Sequence, residues 1–365
     1  MKKQRILVWL SWWVDSAVSA YLLKRQGYDV TAWFMINYLA PEWEPCPTRE
    51  DIEVAKEVAE YLSIPFFTFD YREEYEKKVL DYMYEWYKSW VTPNPDIMCN
   101  SEIKFKVFLD EALASGFDMV ATWHYAQISK DENNIYHLKK WVDKTKDQSY
   151  FLAWLNQEQL SKTIFPIWNL EKKEVREIAE KAKLPNASRK DSQWICFVWK
   201  VDLTKFLEKK IKPLKWLVKN TSWEVLGEHK WVFYYTIGQR KWLDIWGQDE
   251  PIFIVKKDIE KNEIIVWTKN DLELYDDKLF MKNIHFISPN YESLLVRQLV
   301  FKAKAKIRYR QEDQVCELIP PSVPPLTGEG SVWEVRFKNK QRAIASGQIC
   351  VIYNDDDLVM SGIIE

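Results

Sequence analysis

Glycine is scarce in this sequence, with 9 residues in a chain of 365. Ordinary usage would give roughly 25. Few positions are therefore free to take a left-handed backbone or to let the main chain approach a ligand closely. Tryptophan is as abundant as glycine is rare, with 20 residues. No apolar run approaches the roughly 18 residues that a membrane span needs, so none is expected. The start, Met1-Lys2-Lys3-Gln4-Arg5, has neither the apolar core of a signal peptide nor an Arg- and Ser-rich transit segment. Five cysteines, odd in number and widely spread, argue against a disulfide framework and for a reducing cytoplasm. A net charge of −2 excludes a global basic field, so any nucleic-acid surface must be a local patch. What remains, 47% hydrophobic and 29% charged, is an ordinary globular composition of a length that suits two or three domains.

Residues 1–125 read as alternating strands and helices, hence an α/β fold with a doubly wound parallel sheet. Apolar Ile6 to Leu10 predicts a first strand, and Val14, Val18, Leu22 and Leu23 predict a helix. Further strands are expected at Val30 to Met35, Pro65 to Phe69 and Phe117 to Thr122. Thr48-Arg49-Glu50-Asp51 resembles a capping box before an amphipathic helix. Two prolines make the stretch from Val91 to Asn100 an ordered loop, with helix resuming from Ile103 to Ala114. Residues 126–205 continue with helices, including Lys173 to Ala182. From about 212 short β-like runs recur at Trp231 to Thr236, Ile252 to Lys256 and Glu263 to Val266. The expected division is a catalytic domain at 1–211, a small β-rich linker domain at 212–275 and a C-terminal β-barrel at 276–365.

Ligands of such a sheet bind at the carboxyl ends of its strands, where the first loop, Met35 and Trp123 would converge. The loop Trp9-Leu10-Ser11-Trp12-Trp13-Val14-Asp15-Ser16 lies between strand and helix, where free N–H groups and the helix dipole attract phosphate. Such a loop needs glycine for its sharp turn, yet its glycine places hold tryptophan. Other tryptophans also sit in glycine contexts, as in Ser222-Trp223-Glu224 and Lys241-Trp242-Leu243. This pattern implies that most of these codons specify glycine in the source cell. UGA is the codon expected, because some bacterial lineages assign it to glycine and other codes to tryptophan.

Cys99 and Cys196 each lie in a polar loop, and a helix N-terminus beside Cys99 would favour its thiolate. They read either as a reactive pair or as two unrelated buried thiols. Neither has the spacing of a zinc site. Cys316 and Cys350 fall on strand-like runs and are expected in the core, while Cys46 is ambiguous. His124, at a strand end, reads as a hydrogen-bonding residue. Lys146-Asp147-Gln148-Ser149 has the polar density of a binding loop or of a solvated turn. In Phe301 to Arg310, strand alternation puts Lys302, Lys304, Lys306, Arg308 and Arg310 on one face, a stripe suited to a phosphate backbone or a protected edge strand.

With glycine restored, the first loop reads Ser-Gly-Gly-Val-Asp-Ser and resembles the PP-loop of ATP pyrophosphatases. Over essentially its whole length the chain resembles the tRNA-specific 2-thiouridylases. The markers are Ser11 to Ser16, Phe34-Met35, Thr92-Pro93-Asn94-Pro95-Asp96 through Cys99-Asn100, Ala121-Thr122-Trp123-His124-Tyr125, Lys146-Asp147-Gln148-Ser149-Tyr150-Phe151-Leu152, Asp191-Ser192 through Ile195-Cys196-Phe197, Thr236-Ile237-Gly238-Gln239-Arg240-Lys241 and Arg308-Tyr309-Arg310. In this pattern Trp9, Trp12, Trp13, Trp33, Trp90, Trp123, Trp194, Trp199, Trp231 and Trp242 stand where the family has glycine, whereas Trp333 reads as a true tryptophan.

The resemblance implies ATP, with Mg²⁺, bound by residues 9–16, Met35 and position 123. It implies adenylation of the C2 oxygen of the tRNA wobble uridine. Sulfur then comes from a Cys196 persulfide loaded by a cysteine desulfurase or a sulfur relay. Cys99 would form a transient disulfide with Cys196. Asn94, Pro95 and Asp96 would meet the target base, with Asp96 in proton transfer. His124, Lys146, Asp147, Gln148, Arg308, Tyr309 and Gln348 would hold tRNA. If the loop tryptophans are real, the alternative is a catalytically inactive tRNA-binding protein. A PP-loop ligase that amidates a carbonyl is a third reading, against which the cysteine pair argues. Sequencing the gene checks the decoding: the suspect positions are expected as UGA, and UGG codons there would end the idea.

Overall fold

The structure is a computed structural model. It describes every residue except 1–2, 38, 40–45, 90, 145, 190–214, 230–231, 233–234, 241–242, 244, 246, 248–249, 259–260, 269–270, 296–297 and 322–330. The continuous apolar run of the first strand, β1 (Arg5–Trp9), places it in the middle of a five-stranded parallel sheet. On one side lie β2 (Asp29–Ile36) and β3 (Phe66–Asp70), and on the other β4 (Met119–Ala121) and β7 (Thr163–Ile164). The strand order reverses between β1 and β4, so the crevice of the sheet opens there. The helices α1 (Val14–Arg25) and α2 (Pro47–Tyr61) follow β1 and β2. The helix α3 (Lys172–Lys181) packs against α1.

Three local expectations change. Helix α2 starts at Pro47 with Cys46 as its cap and no side-chain cap bond, because proline's fixed φ suits the first helical turn and pre-empts Thr48. For the same reason the proline-rich stretch is only half loop. Asn94 caps a helix, accepting from Ile97 N at 3.3 Å, and Pro95 opens it. Cys99 consequently lies within a helical run rather than ahead of one: Pro95–Met98 passes into a wider, π-type turn at Cys99–Val107 and then into Phe108–Ala114. Third, residues 126–189 hold strands as well as helices. The hairpin β5 (Gln127–Lys130) and β6 (Tyr136–Lys139) leaves the parallel sheet altogether.

The next unit has strands β8 (Trp216–Asn220), β9 (Val225–His229), β10 (Ile252–Asp258) and β11 (Glu263–Thr268) in the order β10-β11-β8-β9. The expected run at 231–236 falls mostly outside the described residues. The barrel is closed and antiparallel. Its strands are β12 (Tyr275–Phe286), β13 (Phe301–Lys306), β14 (Gln314–Ile319), β15 (Trp333–Arg342), β16 (Ile349–Asn354) and β17 (Asp357–Ile364). They run β12-β15-β14-β13-β16-β17, and β12 pairs with β17 to close the ring. Alternation buries Cys316, Trp333 and Cys350 inside, as expected of the two cysteines. Burial raises the Cys316 thiol to about 12 and pushes Cys350 up as well.

One apolar cluster crosses between the first domain and the barrel, joining Ile97, Phe105, Tyr150 and Phe151 to Ile349, Val351 and Ile363. Strand β17 also pairs with β6, at Asp357 and Lys139. Between the units, Lys306 (4% exposed) lies 3.5 Å from Asp147 (2% exposed) and 3.8 Å from Asp313. Lys140 reaches the same Asp313 at 2.7 Å. Among the described residues no helix is long and apolar enough to cross a membrane.

Of the chain's 4 histidines, three are held neutral by burial. The Lys104 charge adds to this at His124. His229 and His285 donate from Nε2 to the carbonyls of Asn262 (2.7 Å) and Leu155 (2.8 Å), which offsets part of their shift. Their folded pKa values lie below the unfolded value of about 6.5, so the unfolded chain takes up protons first as pH falls. The stability they contribute is therefore complete above about pH 6.5 and lost below it, by up to about 1.4 kcal/mol per pH unit for each histidine. Denaturant titrations between pH 7 and 5 check this, and a flat profile would contradict it.

Candidate functional site

Site construction begins where β1 ends. Leu10 N donates to Trp33 O at 2.9 Å, which keeps the backbone in register with β2 before it turns. Two serines then close the loop. Ser11 N donates to Ser16 Oγ at 3.0 Å, the two hydroxyls lie 2.9 Å apart, and Ser16 Oγ also reaches the carbonyls of Ser11 (3.0 Å) and Trp13 (2.9 Å). Trp13 stands at the cap of α1 without a side-chain cap bond. The first N–H groups of α1 thus get no side-chain acceptor from the cap, the arrangement an anion can use.

Asp15, on the first turn of α1, accepts from Tyr125 Oη at 2.7 Å and from Lys172 Nζ at 2.7 and 2.8 Å. This ties α1 to α3 and to the chain after β4. Neither partner was named from the sequence as a site residue, and only the position of Tyr125 within a quoted motif could have pointed to it. Lys172 lies in an ordinary lysine-rich helix start, which offers no signal. Asn186 adds a further tie, donating to Trp12 O at 3.1 Å.

The crevice between β1 and β4 is filled with indole. Trp9, the last residue of β1, and Trp123, two residues beyond β4, have ring centroids 5.8 Å apart, and Trp13 lies 5.8 Å from Trp123 and 5.5 Å from Trp12. All of these except Trp12 and Trp13 are less than a tenth exposed, as is Met35. Trp33 meets Phe69 edge-on at a centroid distance of 3.9 Å, inside the 4.5 to 7 Å usual for aromatic pairs. The Nε1 donors of Trp13 and Trp33 are buried without an acceptor among the described residues. Trp223 takes φ 66°, the left-handed region that favours glycine. The serine-closed turn opens a helix whose first N–H groups get no side-chain acceptor from the cap, and the indole rings occupy the crevice beside it. Trp333, by contrast, is a normal core residue lying edge-on to Phe286 at 6.0 Å. Trp90, Trp194, Trp199, Trp231 and Trp242 lie outside the described residues.

A second cavity, of about 300 Å³, lies between the first domain and the barrel. Asn94, Pro95 and Asp96 form one wall, and Arg308, Tyr309 and Gln348 the other. Six residues named from the sequence thus meet in one place. Gln348 Nε2 donates to the carbonyls of Thr92 (3.1 Å) and Pro93 (3.3 Å). Gly347, at φ +85°, lies so close that a Cβ would meet Val91 at 1.9 Å. Tyr309 packs on Phe151 at 4.3 Å, and burial lifts its hydroxyl to about 12. Burial lowers the Arg308 pKa, with Arg342 adding to the effect. Cys99 is buried on the helical run that starts from this wall. Cys196 lies outside the described residues.

The other named residues are structural in their contacts. His124 is buried, with Nδ1 2.8 Å from Thr122 Oγ1. Asp147 accepts from Trp141 N (3.0 Å) and from Ser149 N (3.1 Å) and Oγ (2.9 Å), and Gln148 Oε1 accepts from Tyr125 N at 3.0 Å. This stretch is a strut rather than a solvated turn, with Lys146 exposed on it. The cationic stripe does not form one solvent face. Its strand ends at Lys306, which turns inward, and Lys304 lies 3.3 Å from Asp355. Arg308 donates to backbone carbonyls of Arg342 and Ala343 while staying exposed, as Lys302 and Arg310 are. Among the described residues no cluster of three or more His, Cys, Asp or Glu could hold a metal ion.

Known proteins resemble the chain along its whole length. Residues 4–200 match the domain described as tRNA methyl transferase HUP domain, 204–268 the tRNA methyl transferase PRC-barrel domain, and 276–364 the aminomethyltransferase beta-barrel domain. A tRNA-specific 2-thiouridylase MnmA of Streptococcus uberis is 40% identical over 368 residues, which cover 100% of this chain and 95% of that protein. The chain belongs to the tRNA-specific 2-thiouridylase family. The 2-thiouridylases of Streptococcus pyogenes (95% of that protein covered) and Shouchella clausii (98%) are also 40% identical over the full chain. For a 2-thiouridylase family member, the ties of the first loop are the accessible test of its architecture. Lys172→Met strips Asp15 of its ammonium partner and is expected to lower stability by about 2 kcal/mol. That is below the range for a sealed pair, because both groups are slightly exposed. Chemical denaturation measures it, and a loss under about 0.5 kcal/mol would show that the bridge does not hold the loop.

Proposed function

We propose that this chain thiolates position 2 of the wobble uridine of tRNA in the cytoplasm, at the expense of ATP. Full-length kinship with the 2-thiouridylases at 40% identity carries this reading. The convergence of Asn94, Pro95, Asp96, Arg308, Tyr309 and Gln348 on one cavity supports it. A base that enters that cavity must leave its stack, and the Tyr309 ring offers it a surface. Lys146, Asp147, Gln148 and His124 would contact tRNA or support the groups that do. The three units would be residues 1–211, 212–275 and 276–365.

ATP is a substrate here, bound over residues 9–16 with Met35 and position 123. Mg²⁺ would arrive with its phosphates, since the Asp15 carboxylate already lies on Lys172. The C2 oxygen attacks the α-phosphorus and pyrophosphate departs, so a poor leaving group becomes AMP. Cys196 carries the persulfide sulfur received from a cysteine desulfurase or relay protein. Its terminal sulfur forms the bond to C2 as the C2–O bond to AMP breaks. Cys99 attacks Cys196 Sγ, either to free the bound sulfur or to release hydrosulfide beforehand. Either order leaves a Cys99–Cys196 disulfide that a dithiol must reduce.

One observation favours a second reading, tRNA binding without catalysis: indoles fill the crevice of the chain as printed. The two are separated by thiolation assays on the glycine-decoded protein. Cys99→Ser and Cys196→Ser are each expected to abolish 2-thiouridine while ATP-dependent pyrophosphate release persists, and Cys316→Ala to retain the product. Full product from either serine variant would refute the assigned roles. Absence of product and of ATP-dependent pyrophosphate release from the glycine-decoded parent would favour the binding protein.

A further inference from the structure

Lys104 is 8% exposed, and among the described residues no carboxylate lies within ion-pair distance of it. The acid nearest in sequence, Glu102, is taken by Lys78 (3.6 Å) and Lys106 (3.1 Å). What Lys104 Nζ faces is the crevice, with the Trp9 ring centroid at 5.1 Å and that of Trp123 at 5.9 Å. Attraction to a ring face is smaller than the penalty for burying an ammonium with no counter-charge. The side chain is therefore poorly matched to the groups around it in the printed sequence. It is carried on the π-type run Cys99–Val107, and such turns are frequent at functional sites. Its field reaches His124, where it helps to keep the imidazole neutral.

Both rings that Lys104 faces stand at family glycine positions, at or just beyond the ends of the two strands where the sheet order reverses. Replacing them with hydrogen leaves an ammonium at the edge of the emptied space. Trp13, whose ring also borders that space, caps α1 and offers no side-chain acceptor to its first N–H groups. We propose that Lys104 is the phosphate-binding cation of this crevice, contacting the phosphate chain of ATP. The proposal rests on the ATP-dependent reading above. A phosphate oxygen supplies the missing counter-charge, and a charge-assisted hydrogen bond in a dry site is a strong one. Lys172, the other lysine of the loop, is already engaged by Asp15.

The test uses the chain with Trp9→Gly, Trp13→Gly and Trp123→Gly as parent, and adds Lys104→Met or Lys104→Arg. Calorimetric titration with ATP, and with adenosine as the phosphate-free probe, reads the lysine's contact. Lys104→Met is expected to weaken ATP binding roughly 10- to 100-fold and leave adenosine binding unchanged, with Lys104→Arg recovering part of the loss. In the chain that keeps Trp9 and Trp123, where the ammonium is buried against their rings, Lys104→Met is expected to melt higher than the same chain with Lys104, since an unmatched buried charge has gone. Equal ATP affinity in Lys104→Met and parent overturns the lysine's role and leaves ATP use standing. A parallel fall for ATP and adenosine, a lower melting temperature of Lys104→Met in the tryptophan-bearing chain or a failure to fold makes Lys104 a structural support and overturns the proposal. A parent that binds no ATP overturns both this role and the ATP reading.

Discussion

Asp147 and Lys306, both sealed from water, fix the barrel against the first domain, and the cavity between them exists because of that seat. A buried pair of this kind contributes little net stability, but breaking it by removing one partner is expensive. It therefore acts less as glue than as a register pin. Asp313 and Lys140 extend the pin, and each charge finds an opposite one. Around it the apolar cluster of Ile97, Phe105, Ile349 and Val351 supplies the area, and Gly347 supplies the closeness. The walls of the cavity are then set by parts of the chain more than 200 residues apart.

The crevice at β1 and β4 presents the opposite situation. Its backbone is organised, with a serine pair closing the turn and an ion pair holding the helix behind it, while its side chains are not matched to one another. Buried indole nitrogens lack acceptors, one aromatic pair is closer than such pairs sit, and a lysine faces rings instead of an acid. A loop laid out for an anion but lined with indole shows conflict between levels that are consistent elsewhere in the molecule.

Much of the fold was legible because the first 125 residues switch cleanly between apolar strand runs and helical periodicity, and the barrel strands alternate. The residues that line the cavity were legible through motif order alone, since nothing in spacing says that Asn94 and Gln348 meet. Prolines misled where a helix N-terminus mimics a loop, at Pro47 and at Pro95. The cationic alternation from Lys302 to Arg310 misled because strand period says which face a residue takes but not what covers that face. Asp147, 159 residues earlier in the chain, covers Lys306 and breaks the stripe at its middle. Lys104 and Lys172 carried no signal, because their meaning depends on which group, or absence of a group, lies opposite them in space.

The pairing of β17 with β6, together with its closure of the barrel against β12, has a consequence for biosynthesis. Gln348 and Gly347 are docked only when β17 is in place, since Gly347 N donates to Ile364 O at 2.8 Å. A nascent chain has a finished parallel sheet long before it has a cavity. A chain that stops short of β17 carries the parallel sheet without the finished cavity, whereas a ribosome that terminates at UGA would stop at the first suspect codon, Trp9, before the sheet has formed. In this architecture the cavity forms all-or-none along the message.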